Sequence, residues 1–268
     1  MFTQPPVRHV RLRRWIIFGS CFWSVLAGGA LEARAEWNIS VYGGKSITHD
    51  NDLRFQGLSG ASRLTLHDVG WDDRSFENPL YYGLRVTHWF GACPEWGLAL
   101  DFSHAKIYLD PDQVVKVSGR RAGLAIETRE PIGSTLQSFN ASHGLNLLTL
   151  NGTRRWFLKG ERDNSFLGRL QPYVGLGAGT AVPHVEASVN GITTGEYQVA
   201  GWTAQGFAGL NFDLMRYLAL FLEYKASYAD LDMKLAGGQR VVTEPLTHQF
   251  LFGLTFRFGE AKGRRARN

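Results

Sequence analysis

Leu218-Ala219-Leu220-Phe221-Leu222-Glu223-Tyr224-Lys225 is the stretch on which the fold turns. In an extended chain, successive side chains point to opposite faces. Leu218, Leu220, Leu222 and Tyr224 then share one face, and Ala219, Phe221, Glu223 and Lys225 the other. The first face is apolar throughout, while the second ends in two opposite charges. That division suits a wall with lipid on one side and a packed polar interior on the other.

The same alternation recurs along the chain in runs of roughly ten residues, the signature of a membrane-barrel strand. Trp37, Ile39 and Val41 oppose Asn38, Ser40 and Tyr42; Tyr82, Leu84 and Val86 oppose Tyr81, Gly83, Arg85 and Thr87. Trp96, Leu98, Leu100 and Phe102 oppose Gly97, Ala99, Asp101 and Ser103, and a fourth run covers about 139–157. Further runs start near Gln171, Trp202, Leu218 and Gln249, which makes eight. An even number is what a closed single-chain barrel requires. The expected fold is all-β: an eight-stranded antiparallel transmembrane up-and-down β-barrel with two long outer loops, 48–78 and 109–137. Short inner turns are expected at 91–95 and 213–217. Trp37, Trp89, Trp96, Trp156, Tyr217 and Phe258 mark an inner aromatic girdle; Tyr82, Tyr108, Phe139, Trp202 and Tyr228 mark an outer one.

A soluble lipocalin-like barrel would put the apolar face inside. The polar face, with Arg85, Asp101, Gln205, Glu223 and Lys225, argues against it. A narrow barrel holds such charges only as compensated partners, so these five read as an interior ion-pair and hydrogen-bond network. An eight-stranded lumen is also filled by its side chains, which excludes a general diffusion pore.

Three segments follow. Residues 1–35 have the pattern of a secretory signal peptide: Arg8, Arg11, Arg13 and Arg14, an uncharged apolar run from Trp15 to Ala30, then Ala33-Arg34-Ala35. Residues 36–258 form the barrel and 259–268 a basic C-terminal tail. The formal net charge of +5 resides in the two ends, because 36–258 holds 20 Lys and Arg against 22 Asp and Glu. A nucleic-acid footprint is therefore absent. Two Cys exclude a disulfide scaffold.

Among motifs, Gly175-Leu-Gly177-Ala-Gly179 lacks the G-x-G-x-x-G spacing of a dinucleotide loop. There is no CxxC, HExxH or G-x-S-x-G. The histidines carry more. In an up-and-down topology His104, His143, His184 and His248 all lie near the outer rim, the first three on consecutive strands about 4.8 Å apart. Glu186 follows His184 by two residues and Lys106 follows His104 by two. Imidazoles so placed can share a metal, form an acid–base pair, or simply touch lipid headgroups.

Pro172-Tyr-Val-Gly-Leu-Gly-Ala-Gly179, Phe221-Leu-Glu-Tyr-Lys225 and Phe256-Arg-Phe258 resemble the small outer-membrane barrels of OmpA and opacity-protein type. Asn78-Pro-Leu-Tyr-Tyr-Gly-Leu-Arg85, Asp101-Phe-Ser-His-Ala-Lys106, Ser142-His-Gly-Leu-Asn-Leu-Leu-Thr-Leu-Asn151 and Ala181-Val-Pro-His-Val-Glu186 look like the barrel proteins named lipid A oxidase. That resemblance implies an outer-membrane enzyme using dioxygen to oxidise the proximal glucosamine of lipid A to 2-aminogluconate, with release of hydrogen peroxide. The partners are then outer-membrane lipid, lipid A and the outer-membrane assembly machinery, and the barrel is expected to be a monomer. Moving two electrons from the sugar to oxygen calls for a redox metal, iron or copper, or a bound flavin. His104, His143 and His184 are the expected metal ligands, His143 and Glu186 the catalytic pair, and Lys106 or Arg85 the holder of a lipid A phosphate. Two other classes stay open: a non-enzymatic surface barrel, and a lipid A hydrolase or acyltransferase drawing on Ser142-His143 or Ser103-His104, whose hydroxyl and imidazole would have to pair across strands because strand neighbours point to opposite faces.

Overall fold

The computed structural model describes residues 35–57, 62–159 and 164–259. The expected leader and basic tail lie outside the described residues, apart from their boundary positions 35 and 259. The described chain forms fifteen strands. They are β1 (Glu36–Thr48), β2 (Asn51–Gln56), β3 (Arg63–Val69), β4 (Trp71–Asp72), β5 (Tyr82–Trp89), β6 (Trp96–Leu109), β7 (Val114–Arg121) and β8 (Leu124–Pro131). There follow β9 (Ser138–Arg155), β10 (Leu170–Val189), β11 (Ile192–Tyr197), β12 (Gly201–Met215), β13 (Leu218–Leu235), β14 (Gln239–Thr243) and β15 (Leu246–Phe258).

Eight of them close a ring of antiparallel neighbours, β1-β5-β6-β9-β10-β12-β13-β15, and β15 returns to β1. Closure pairs Trp37 with Phe258 and Thr48 with Thr247. The eight runs of alternating sequence are these eight strands. No described helix is long and apolar enough to cross a membrane; a closed ring crosses with strands, because pairing satisfies every backbone polar group.

β13 shows how the wall is built. Leu218, Leu220, Leu222 and Tyr224 face outward, while Phe221, Glu223, Lys225 and Ser227 are buried inside. Above Tyr228 the polarity exchanges sides without any change of parity. Leu231, Met233 and Leu235 now point inward and are buried, and Asp230, Asp232 and Lys234 point outward. β6 and β10 make the same exchange near His104 and Val182. The barrel therefore has two storeys: a lower one, apolar outside and polar inside, and an upper one with the inside-apolar pattern of a water-soluble protein.

The two long outer loops are themselves ordered. The segments expected as loops contain β2, β3, β4, β7 and β8, and the upper wall runs β13-β14-β2-β3-β7-β8. The reason is that the hydrophobic core continues above the polar lumen. Leu53, Leu66, Val117, Ile107, Ile132, Leu136, Phe139 and Leu231 bury almost completely, which favours ordered strands over solvated loops. β10 is 20 residues long, whereas about 9–11 residues of a tilted strand cross a bilayer; the surplus builds the upper storey. Two aromatics assigned to girdles also turn inward. Trp89 lies inside under the Arg155 guanidinium, and Phe139 lies in the upper core.

Candidate functional site

The lower lumen is closed by a polar plug. Arg85 Nη1 and Nη2 donate to the two Glu223 carboxylate oxygens at 2.6 and 2.8 Å, and Nε donates to Asp101 at 2.7 Å. Lys225 Nζ donates to Asp101 (3.2 Å), Ser103 Oγ (3.0 Å) and Tyr42 Oη (2.9 Å). Tyr42 donates in turn to Asp101, Tyr173 to Glu223 at 2.8 Å, and Gln205 to Asn151 at 3.0 Å. Two cations meet two anions, so the charges cancel, and each group has several partners. This is the arrangement in which buried ions are tolerated. Arg85 is therefore committed inside the lumen and faces away from surrounding lipid, which removes the geometric basis for its expected contact with a lipid A phosphate.

His104, Lys106, His184 and Glu186 lie on the outward wall, at the level where the storeys change. His104 on β6 stacks on Tyr82 of β5, ring centroids 4.7 Å apart and planes within 19°, and its Nδ1 lies 2.9 Å from Asn146 Oδ1. Lys106 is the next outward residue of β6. Its Nζ donates to the Glu77 carbonyl at 2.9 Å and sits 5.6 Å from the Tyr108 ring, on which Arg74 also stacks. On β10, His184 Nδ1 is 3.4 Å from Glu186 Oε1, and the imidazole packs on Tyr197 of β11.

Between these two groups runs β9, which carries two extra residues. Leu145 pairs with both Ala105 and Pro183, whereas Ala141 pairs with Ile107 and Asn140 with Glu186. The bulge is therefore at 142–144, with Gly144 at φ +114°. His143 lies within it, and its side chain is outside the described residues, as is that of Ser142.

The three histidine positions are thus on neighbouring strands at one height, as the sequence suggests, but the outer two point apart. In a ring of eight strands, two outward side chains separated by two strands diverge by about a quarter turn. His104 is engaged by Tyr82 and Asn146, and His184 by Glu186 and Tyr197. Among the described residues no group of three His, Cys, Asp or Glu side chains is placed to hold a metal. The His143 side chain is not among them. The Ser103-His104 hydrolase arrangement fails on the same wall geometry. Ser103 points inward to Tyr42 and Lys225, while His104 points outward.

Sequence reasoning did not single out Arg74 or Asn146, which complete the outward group. Arg74 belongs to the connection 73–81 that covers Lys106. Asp73 pins this connection, accepting from the Thr48 amide at 2.8 Å and hydroxyl at 2.6 Å. Burial pushes the Asp73 carboxyl above its usual range, against those hydrogen bonds.

No protein-family model and no curated protein matches the chain. Among solved structures, Neisserial surface protein A is 10% identical and covers 84% of this chain and 97% of its own, with a TM-score of 0.38. OprG from Pseudomonas aeruginosa is 15% identical, covering 85% and 97%, TM-score 0.41. The outer membrane protease OmpT from Escherichia coli is 10% identical, covering 84% and 97%, TM-score 0.40. The closed ring and its inverted lower storey decide the class. The chain is a transmembrane β-barrel.

Proposed function

We propose that this barrel acts on the saccharide headgroup of lipid A from its outer wall, oxidising the proximal glucosamine to 2-aminogluconate. One observation carries the reading. The lumen is filled by a neutralised plug, whereas His104, Lys106, His184 and Glu186 face outward at headgroup depth on either side of the β9 bulge that bears His143. Chemistry placed there meets lipid and not a solute in transit. The likeness of these segments to lipid A oxidase supplies the reaction.

The residues divide the work as follows. His143 takes the proton from the sugar hydroxyl at the carbon being oxidised, a task suited to an imidazole. Glu186 orients His184, and Lys106 meets the anionic part of the headgroup. The two electrons and two protons removed at that carbon reduce dioxygen to hydrogen peroxide. His143→Ala should abolish oxidised lipid A, measured as the mass of lipid A extracted from cells, while heat-modifiable gel mobility shows the barrel still folded. Lipid A of unchanged mass in that variant would sink the assignment.

A surface-binding barrel without catalysis is the second reading, favoured by the upper storey. β8 pairs only with β7 among the described residues and leaves one edge open. Exposed strand edges are where extended partners add. Deletion of the protein with no change in lipid A mass would select this reading.

A further inference from the structure

The connection 73–81 differs from the rest of the outer rim in what it exposes. Phe76 is 67% exposed and Leu80 51%, and Tyr82, which follows them at the top of β5, is 47% exposed. Three large apolar groups thus extend the lipid-facing belt on a segment that is not itself a strand up to residue 81. Above and beside them stand three cations. Lys45 is outward and exposed on β1, with Nζ 6.0 Å from the Phe76 ring. Arg74 stacks 4.4 Å from the Tyr108 ring. Lys106 is only 1% exposed.

Lys106 is the informative member. A buried ammonium is costly unless an anion accompanies it. Its hydrogen bond among the described residues is to a neutral carbonyl, that of Glu77, and no described carboxylate stands within ion-pair distance. By contrast, Lys225, enclosed deep in the lumen, has Asp101. An ammonium carries three donors, so Lys106 has capacity beyond Glu77. Its cover can yield, because the connection is held at Asp73 by Thr48, at Ser75 by Ser46, and at Tyr81 by the Ser75 carbonyl. The exposed stretch 76–80 lies between those anchors.

We infer that the outward surface around Phe76–Leu80 binds a phosphorylated saccharide lipid of the outer leaflet. Phe76, Leu80 and Tyr82 lie against its acyl chains and sugar, and Lys45, Arg74 and Lys106 receive its phosphate. Arg74 currently shares its charge with Asp72 at 2.9 Å and Glu77 at 3.8 Å; phosphate competes with those exposed carboxylates and offers Lys106 the anion it lacks. The inference rests on the lipid A reading for the identity of the glycolipid, and it is independent of any oxidation.

The test uses the full chain in phosphatidylcholine nanodiscs doped with diphosphoryl lipid A, monophosphoryl lipid A or phosphatidylglycerol, with retained lipid counted by native mass spectrometry. Both forms of lipid A should be retained over phosphatidylglycerol, the monophosphoryl form included because the sugar to be oxidised needs a free C1 hydroxyl. Lys106→Gln, and separately the exposed double variant Lys45→Gln with Arg74→Gln, should each lower that retention roughly tenfold, the scale of a lost charge-assisted hydrogen bond. Equal retention of phosphatidylglycerol, which marks a merely annular surface, overturns the inference. So does unchanged retention in the double variant, which decides the matter if Lys106→Gln fails to fold. Unaltered lipid A in cells alongside intact phosphate-dependent retention defeats the oxidase reading and leaves this site standing.

Discussion

Arg85 shows how far a single residue can be read. Its place on the polar face of a strand, with Asp101, Gln205, Glu223 and Lys225 on the polar faces of others, was legible because parity alone sorts lumen from lipid. Which of them touch was not legible, since register between distant strands decides it. Arg85 lies beside Asp101 through the β5–β6 pairing but reaches Glu223 across the lumen. The hydroxyls of Tyr42 and Tyr173, which complete the plug, gave no signal beyond their parity. Glu223→Gln removes one anion and leaves Arg85 and Lys225 with Asp101 alone. Breaking a buried pair from one side costs about 3–5 kcal/mol, so folding stability in urea should fall by roughly that amount. Arg85→Met combined with Glu223→Leu should lose less than Glu223→Gln, because no ion is then stranded. Equal losses in the two variants would mean the network contributes by packing and not by charge.

At the scale of the element, β9 explains what the sequence concealed. Adding two residues to a strand leaves period-2 alternation unbroken, so Leu145, Leu147 and Thr149 continue the inward parity of Phe139 and Ala141 across the bulge. Only the partners reveal the slip. Gly144 is what permits it: its φ of +114° suits glycine, and a Cβ there would stand 2.4 Å from His104 Nδ1 and 2.5 Å from Asn146 Oδ1. Gly144→Ala must therefore displace His104 from Asn146 or reshape the bulge that carries His143. If the outward wall is the working site, this variant should lose lipid A modification in cells while costing only about 1–3 kcal/mol of stability. Full modification with a displaced His104 would detach that histidine from the function. The depth of the candidate residues was thus readable from strand ends. Their mutual orientation was not, because it follows from the curvature of the ring and from an insertion that alternation hides.

At the scale of the molecule, the two storeys make opposite demands on the same strands. Below, the bilayer stabilises apolar residues on the outside and the lumen needs neutralised ions. Above, water reverses both. The lower storey was legible because its runs are long and carry Trp, Leu and Phe on one face. The upper one was not, since β2, β3 and β7 are only 6–8 residues long and their apolar positions read as loop residues until paired. Buried apolar side chains run from Tyr173 and Phe221 below to Leu66 and Leu231 above, but only the lower interior is held by the Arg85–Glu223 and Lys225–Asp101 ions, so the storeys should respond separately to damage. Leu66→Ala opens a cavity at a fully buried upper position, a change worth about 2–5 kcal/mol. Its neighbours are upper-storey strands, paired through Leu53 and Val117. The expected result is faster proteolysis within residues 49–81 and 110–137, with the lower ring still heat-modifiable and its unfolding midpoint little changed. Glu223→Gln should give the converse, a lowered midpoint for the ring. If Leu66→Ala instead lowers that midpoint as much as Glu223→Gln does, the barrel unfolds as one cooperative unit. The change of polarity near Tyr228 would then mark only the water line and not a boundary between two cooperative units.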